Sequence, residues 1–306
     1  MPKTTIGFIG LGNMGAPMVR CLANAGHTVV AYDARAGVAD RLAKDAANKG
    51  HVLAAVSLAE VGSAATIVIT MLPDSKIVRS VALGDKTAPG LVAHLAAGSV
   101  VVDMSSSYPL DTRELAKALE MHKIALIDAP VSGGVGKAVT GTLAIMAGGE
   151  AAVLDRVEPY LTAMGQVHRT GALGSGHAIK ALNNYVSAAG LIATCEALIV
   201  AEKFGLDPKI VTAVFNASTG RNNTTENKAA RYLIPRTYTS GFSLALMEKD
   251  VGMAHKLAVD LGLQMNDLQY VAGYLQAAST HLGKDADHTA IMEIALTRAN
   301  ANPGKE

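Results

Sequence analysis

Tryptophan is absent from this chain, and aromatic residues make up only 4% of it. Basic runs with interleaved aromatics are missing, and the formal net charge is +1. Neither a nucleic-acid surface nor a broad attraction to anionic membrane follows from such a composition. Charged residues are scarce at 17% against 50% hydrophobic, too apolar a balance for a disordered chain. Only two cysteines occur, Cys21 and Cys195, each in an apolar helical context and without C-x-x-C spacing. They read as buried free thiols, so no disulfide framework argues for secretion. The nine histidines are scattered, and no His/Asp/Glu group has ligand spacing, so no metal is expected. A strand pattern starts at Thr4, which leaves no room for a signal peptide. The most apolar windows contain Lys, Asn or Glu and fall short of a clean span of about 20 residues. A cytoplasmic enzyme with no membrane or nucleic-acid partner is the expectation.

What is present is organised around residues 176–204, GHAIKALNNYVSAAGLIATCEALIVAEKF, a run without proline. It reads as one helix of about 40 Å at 1.5 Å per residue. With almost no charge through its middle, it is expected to be buried on nearly all sides, as a spine between two halves. Lys180, Asn183, Asn184 and Ser187 share one face of that helix. A lysine and two amides there must look into a cleft, because burying them unpaired is costly.

The 306 residues suffice for two domains. Residues 4–10 read as a buried parallel strand ended by glycine. Gly10-Leu11-Gly12-Asn13-Met14-Gly15 follows, then a helical pattern, then a second strand ending at Asp33. In this setting G-x-G-x-x-G is a dinucleotide signal with a mechanical reason for each glycine: a tight turn, room for a pyrophosphate, and close packing of helix on strand. The helix N-terminus turns free N–H groups toward the phosphates. Asp33 accepts from the adenosine ribose hydroxyls and repels a 2′-phosphate, so NAD is favoured over NADP; Arg35 softens the preference. Further strands at 65–70, 99–104 and 124–128 run into Met71-Leu72-Pro73-Asp74, Ser105-Ser106-Ser107 and Ala129-Pro130. In a doubly wound α/β sheet such loops wall the ligand crevice. Locally, Pro73 reads equally well as a helix-start proline and the serines as an N-cap. Ser132, Gly133, Gly134 and Gly136 then offer a hydroxyl and exposed N–H groups that suit a carboxylate.

Gly171, Gly174 and Gly176 mark the boundary between a Rossmann-type domain, 1–171, and an all-helical domain, 172–306, that includes the long helix. Helical patterns run over 208–216, 224–234, 244–261, 266–281 and 289–298. Lys249 within the third of these reads locally as a solvated lysine paired with an acid. His177 reads as a helix-start residue or a partner of a neighbouring group.

Four separated motifs carry a resemblance: GFIGLGNMGAPM, DAPVSGGVGKAVTGTL at 128–143, GSGHAIKALNN at 174–184, and F-x-L-x-L-M-x-K-D from Phe242 to Asp250. Together the chain resembles the β-hydroxyacid dehydrogenase family, which includes 3-hydroxyisobutyrate dehydrogenases and tartronate semialdehyde reductases. The resemblance implies Lys180 as the general acid/base, and Ser132, Gly133 and Gly134 as the loop holding the substrate carboxylate. It implies Asn184 as the amide beside the lysine, and Leu72, Pro73, Ser106 and Lys249 as cofactor contacts. It implies a small carboxylate substrate and homodimers or homotetramers. Burial and a cationic nicotinamide are expected to lower the Lys180 pKa toward neutrality. Alternatives are tartronate semialdehyde reduction or a related semialdehyde, and a nicotinamide-binding sensor without catalysis. Imine reduction is disfavoured by the presence of Lys180, and a phosphorylated sugar acid by the single cation, Lys137, in the 128–143 loop.

Overall fold

The computed structural model describes residues 5–48 and 50–301. The chain divides into two compact units, Met1–Lys180 and Ala181–Glu306. In the first, β1 (Thr5–Ile9), α1 (Gly15–Asn24), β2 (Thr28–Tyr32), α2 (Val38–Ala43), β3 (Val52–Ala54), α3 (Leu58–Ala64), β4 (Ile67–Thr70) and α4 (Ser75–Leu83) alternate. They are followed by β5 (Val100–Asp103), α5 (Pro109–Glu120), β6 (Ala125–Asp128), β7 (Val131–Ser132), α6 (Gly134–Thr140), β8 (Leu143–Gly148), α7 (Ala151–Leu161) and β9 (Gly165–Gly171). The sheet order is β3-β2-β1-β4-β5-β6-β8-β7, with β9 paired to β8. β1 to β6 are parallel, whereas β8 meets β6 and β7 antiparallel.

The central strands are continuous apolar runs because helices cover both faces of the sheet. Ile6, Phe8, Ile67, Ile69, Val100 and Val102 are buried with Met18 and Leu22 of α1. Each such side chain contributes roughly 1.5–3 kcal/mol relative to an exposed one. β1 pairs with β2 on one side and β4 on the other, so the chain reverses its winding at β1/β4. At such a switch point the connections leaving the strand ends diverge and leave a crevice.

α8 (Ser175–Phe204) runs unbroken for 30 residues. The helical unit adds α9 (Pro208–Ala217), α10 (Asn223–Asn227), α11 (Leu244–Asp260), α12 (Asn266–Leu282) and α13 (Ile291–Ala301). Its core gathers Leu191, Cys195 and Leu198 with Leu244, Met247, Val251, Leu275 and Ile291. Two expectations are corrected. The stretch 224–234 is not one helix: Asn222 caps α10 through a capping box with Thr225, and a π-turn over Ala229–Leu233 follows. Lys228 between them leaves helical geometry at φ −121°, which separates the two pieces. Nor is α8 buried all round. Val186, Val200 and Phe204 are 66%, 69% and 81% exposed, because the described residues leave that face bare. By length and composition alone α8 is apolar enough to cross a membrane, with a mean hydropathy of 1.5, but half of that window is buried inside this chain.

Candidate active site

The glycine loop joins β1 to α1. Gly10 has φ +97°, and a Cβ there would meet the Met71 carbonyl at 2.2 Å. At Gly15 a Cβ would lie 1.9 Å from the Gly10 carbonyl. At Gly12 nothing lies within 4 Å. Two glycines are thus demanded by the fold itself, and the third opens onto space that a side chain would fill. That pattern fits a dinucleotide whose pyrophosphate passes Gly12. Leu11 is buried, Met14 half-buried and Asn13 exposed. The Leu11 N–H donates to Asp33 Oδ2 at 2.8 Å, which ties the acid at the end of β2 to the loop. Arg35 donates through Nε to Oδ1 and through Nη2 to Oδ2 of the same acid, at 2.9 and 3.0 Å. That guanidinium holds the Asp33 carboxyl at about 2, well below its ordinary value.

The next two loops are joined to each other: the Leu72 N–H donates to Ser105 Oγ at 2.8 Å. Pro73 and Ser106 sit in these same loops. Asp103, fully buried at the end of β5, organises the second of them. It accepts from Thr70 Oγ1 at 2.9 Å, Ser105 N at 3.0 Å and Ser107 Oγ at 2.7 Å. Beyond β6, Ser132 ends the short strand β7, opposite Ala144 of β8. Gly133 and Gly134 follow with φ of +131° and +67°, backbone that side chains rarely adopt.

The first turn of α8 is docked on this same edge of the sheet. Asp128 accepts from Gly174 N at 2.7 Å and from His177 N at 2.8 Å. A Cβ on Gly176 would meet the Met146 carbonyl at 2.1 Å, so backbone packs on backbone here. His177 is buried, its Nε2 3.1 Å from the Ser105 carbonyl and its Nδ1 2.8 Å from Thr112 Oγ1. Its ring lies 3.7 Å from Asp103 and 3.8 Å from Asp128. Burial pushes the Asp128 carboxyl up, while His177 and the two N–H donors pull it back. One turn beyond His177, Lys180 is 8% exposed.

In the helical unit, Asn184 Nδ2 donates to Asp250 Oδ2 at 2.6 Å, and Asn183 Nδ2 donates to Asn184 Oδ1 at 3.1 Å. Lys249 Nζ lies 3.8 Å from Asp250 Oδ1, so one buried acid orders both Asn184 and Lys249. The sequence does not announce the organising parts of Asp103, Asp128 and Asp250, whereas for His177 the second of its two readings, a partner of neighbouring groups, is the one its contacts match. The available signal was an acid closing each of two β-branched or apolar runs, VVVD and ALID. Among the described residues no group of His, Cys, Asp and Glu is arranged to hold a metal ion.

Comparison with known proteins agrees with this arrangement. Residues 5–174 match the NAD binding domain of 6-phosphogluconate dehydrogenase. Residues 174–295 match the NAD-binding domain of NADP-dependent 3-hydroxyisobutyrate dehydrogenase. The chain is 37% identical to 2-(hydroxymethyl)glutarate dehydrogenase of Eubacterium barkeri over 251 residues, 81% of this chain and 80% of that one. It is 38% identical to mitochondrial 3-hydroxyisobutyrate dehydrogenase of Mus musculus over 263 residues, 84% of this chain and 76% of that one. Among solved structures, 3-hydroxyisobutyrate dehydrogenase of Mycobacterium tuberculosis with L-serine has a TM-score of 0.83 at 33% identity, covering 95% of this chain and 98% of its own. A Rossmann-type unit with a fitted glycine loop, followed by a helical unit, and matched along nearly its whole length, places this chain in the β-hydroxyacid dehydrogenase family, as an NAD(P)-dependent oxidoreductase.

Proposed function

We propose that this enzyme interconverts a small β-hydroxy acid and its semialdehyde, with Lys180 as general acid/base and NAD preferred to NADP. The observation that carries the reading is Lys180 itself, a lysine only 8% exposed, one turn after a helix start fixed to the ends of β5 and β6. A lysine is rarely buried so far without a task.

Ser132 Oγ and the N–H groups of Gly133 and Gly134 bind the substrate carboxylate. Lys180 Nζ faces the β-hydroxyl. In oxidation the neutral amine takes the hydroxyl proton; in reduction the ammonium returns a proton to the carbonyl oxygen. A buried amine is more easily neutral than one in water, which suits the first role. Asn184, held by Asp250, orients the amine and the hydroxyl. Gly10 to Gly15, Asp33, Leu72, Pro73, Ser106 and Lys249 hold the dinucleotide, which supplies the hydride acceptor or donor. The bound amino acid and the two substrates named for the relatives above share one skeleton, a 3-hydroxypropanoate. They differ only in the group on C2: methyl, ammonium or carboxyethyl. That skeleton is the substrate class.

Lys180→Ala is expected to lower kcat by roughly two orders of magnitude or more while NADH binding, followed by fluorescence, persists. Normal turnover in this variant removes Lys180 from the mechanism.

A further inference from the structure

The first turn of α8 buries a histidine that takes no part in the proton transfer. The His177 side chain is fully buried, and both of its ring nitrogens are engaged. A carbonyl oxygen can only accept, so Nε2 carries the hydrogen on the 3.1 Å contact to the Ser105 carbonyl. Nδ1 lies 2.8 Å from Thr112 Oγ1 on α5. Filling space would need only an apolar side chain of the same volume, whereas a buried imidazole is costly unless its polar atoms are paired. Leaving one such buried bond unmade costs about 1–3 kcal/mol. The ring is therefore a connector between elements.

Its two connections differ in where they lead. Thr112 ties the ring to α5. Ser105 ties it to the loops proposed to hold the dinucleotide. The Ser105 hydroxyl accepts from Leu72 N, and the Ser105 N–H donates to Asp103. Asp103 also accepts from Thr70 Oγ1 at the end of β4, where the Met71-Leu72-Pro73 loop begins. Ser105 thus joins the loop after β4 to the loop after β5, immediately before Ser106. On the helix side, Asp128 at the end of β6 accepts from His177 N. One residue of α8 is held twice, by its backbone from β6 and by its ring from the loop after β5. A helix held only at a backbone N–H can still roll about that point. A second contact, away from the helix axis, stops the roll. Lys180 follows three residues later on the same face, so what fixes the rotation of His177 fixes the direction in which Lys180 leaves the helix.

We propose that His177 is a positioning residue: through the bond from Nε2 to the Ser105 carbonyl it sets the Lys180 amine in register with the loops that hold the dinucleotide. The proposal rests on the reading of Lys180 and of those loops given above. The reaction takes a proton and a hydride from one carbinol, so the amine and the nicotinamide must be placed against each other. A misplacement of about 1 Å costs roughly 100-fold in rate.

The test compares His177→Gln with His177→Asn. A glutamine amide nitrogen falls near the place of Nε2 and can still donate to Ser105, whereas an asparagine amide falls near the place of Nδ1 and reaches only Thr112. Turnover is measured at saturating NAD with whichever of 3-hydroxyisobutyrate, L-serine and 2-(hydroxymethyl)glutarate the wild type oxidises fastest. His177→Asn is expected to lower kcat by roughly 10–100-fold, with KM for the acid within about threefold and the Kd for NADH, followed by fluorescence, within about twofold. His177→Gln should keep kcat within about threefold of wild type. A wild-type kcat in folded His177→Asn overturns the proposal, even with a lowered Tm, because the histidine would then serve stability alone. Equal losses of kcat in the two variants also overturn it, as does a loss confined to NADH binding. If the melting curve shows that His177→Asn does not fold, His177→Met, which fills the same buried space without a donor, decides by the same comparison with His177→Gln. Failure of the underlying reading looks different: Lys180→Ala would then keep its turnover.

Discussion

At the scale of single residues, the most informative pair is Asp33 and Arg35. Both oxygens of Asp33 are already engaged, Oδ2 by Leu11 N and Arg35 Nη2, Oδ1 by Arg35 N and Nε. The guanidinium is 65% exposed and stands beside the acid we propose as the ribose contact. The two side chains therefore pull in opposite directions: the carboxylate favours ribose hydroxyls, and the arginine offers a fork to a 2′-phosphate. Asp33→Ala is expected to raise KM for NAD by roughly tenfold and shift the kcat/KM ratio toward NADP, since one charge-assisted hydrogen bond is worth about 1.5–3 kcal/mol. Arg35→Ala should shift the ratio further toward NAD. Measuring both ratios checks the assignment, and an Arg35→Ala enzyme that used NADP better than wild type would contradict it. Because the Asp33 carboxyl is held at about 2, below its ordinary 3.8, its stabilising contribution is present above pH 3.8 and is lost as pH falls toward 2.

At the scale of elements, the glycine loop separates what folding requires from what binding requires. Gly15→Ala places a methyl against the Gly10 carbonyl and should destabilise the protein by roughly 1–3 kcal/mol, visible as a lower Tm. Gly12→Ala meets no protein atom within 4 Å. It should leave Tm unchanged while raising Kd for NADH about tenfold or more, as the methyl enters the pyrophosphate's path. Unchanged NADH affinity in Gly12→Ala would show that the dinucleotide passes elsewhere. This loop was readable in the sequence because its function sits in residue type and spacing. β1, β4 and β5 were readable for a related reason: strands covered on both faces are continuous apolar runs. β3, only three residues, and β7, only two, have no room to display a period. The break at Lys228 was hidden because 224–234 keeps helical spacing through a change of hydrogen-bond pattern. The clamp of Asp103, Asp128 and His177 was hidden too, since its members are distant in sequence and meet only once the strands are parallel neighbours.

At the scale of the whole molecule, the bare face of α8 is the feature that composition misread. An apolar sequence says that a surface will be covered, not which chain covers it. Val186, Val200 and Phe204 fall on one stripe of α8, and α9 adds Ile210 and Val214, 64% and 55% exposed. Patches of this kind mark interaction surfaces. A second copy of this chain is the partner we propose, with α8 and α9 of two protomers burying each other. Burial of apolar area at roughly 25 cal/mol per Å² would drive it. Val200→Asp combined with Phe204→Asp would place two charges at the centre of the contact and should convert a homo-oligomer into monomers in light scattering after size exclusion. The folded core should be untouched, because both side chains point away from it, so the far-UV spectrum of the monomer should match wild type. A wild-type protein that runs as a monomer at tens of micromolar would end the proposal, since the stripe would then face water with nothing to cover it.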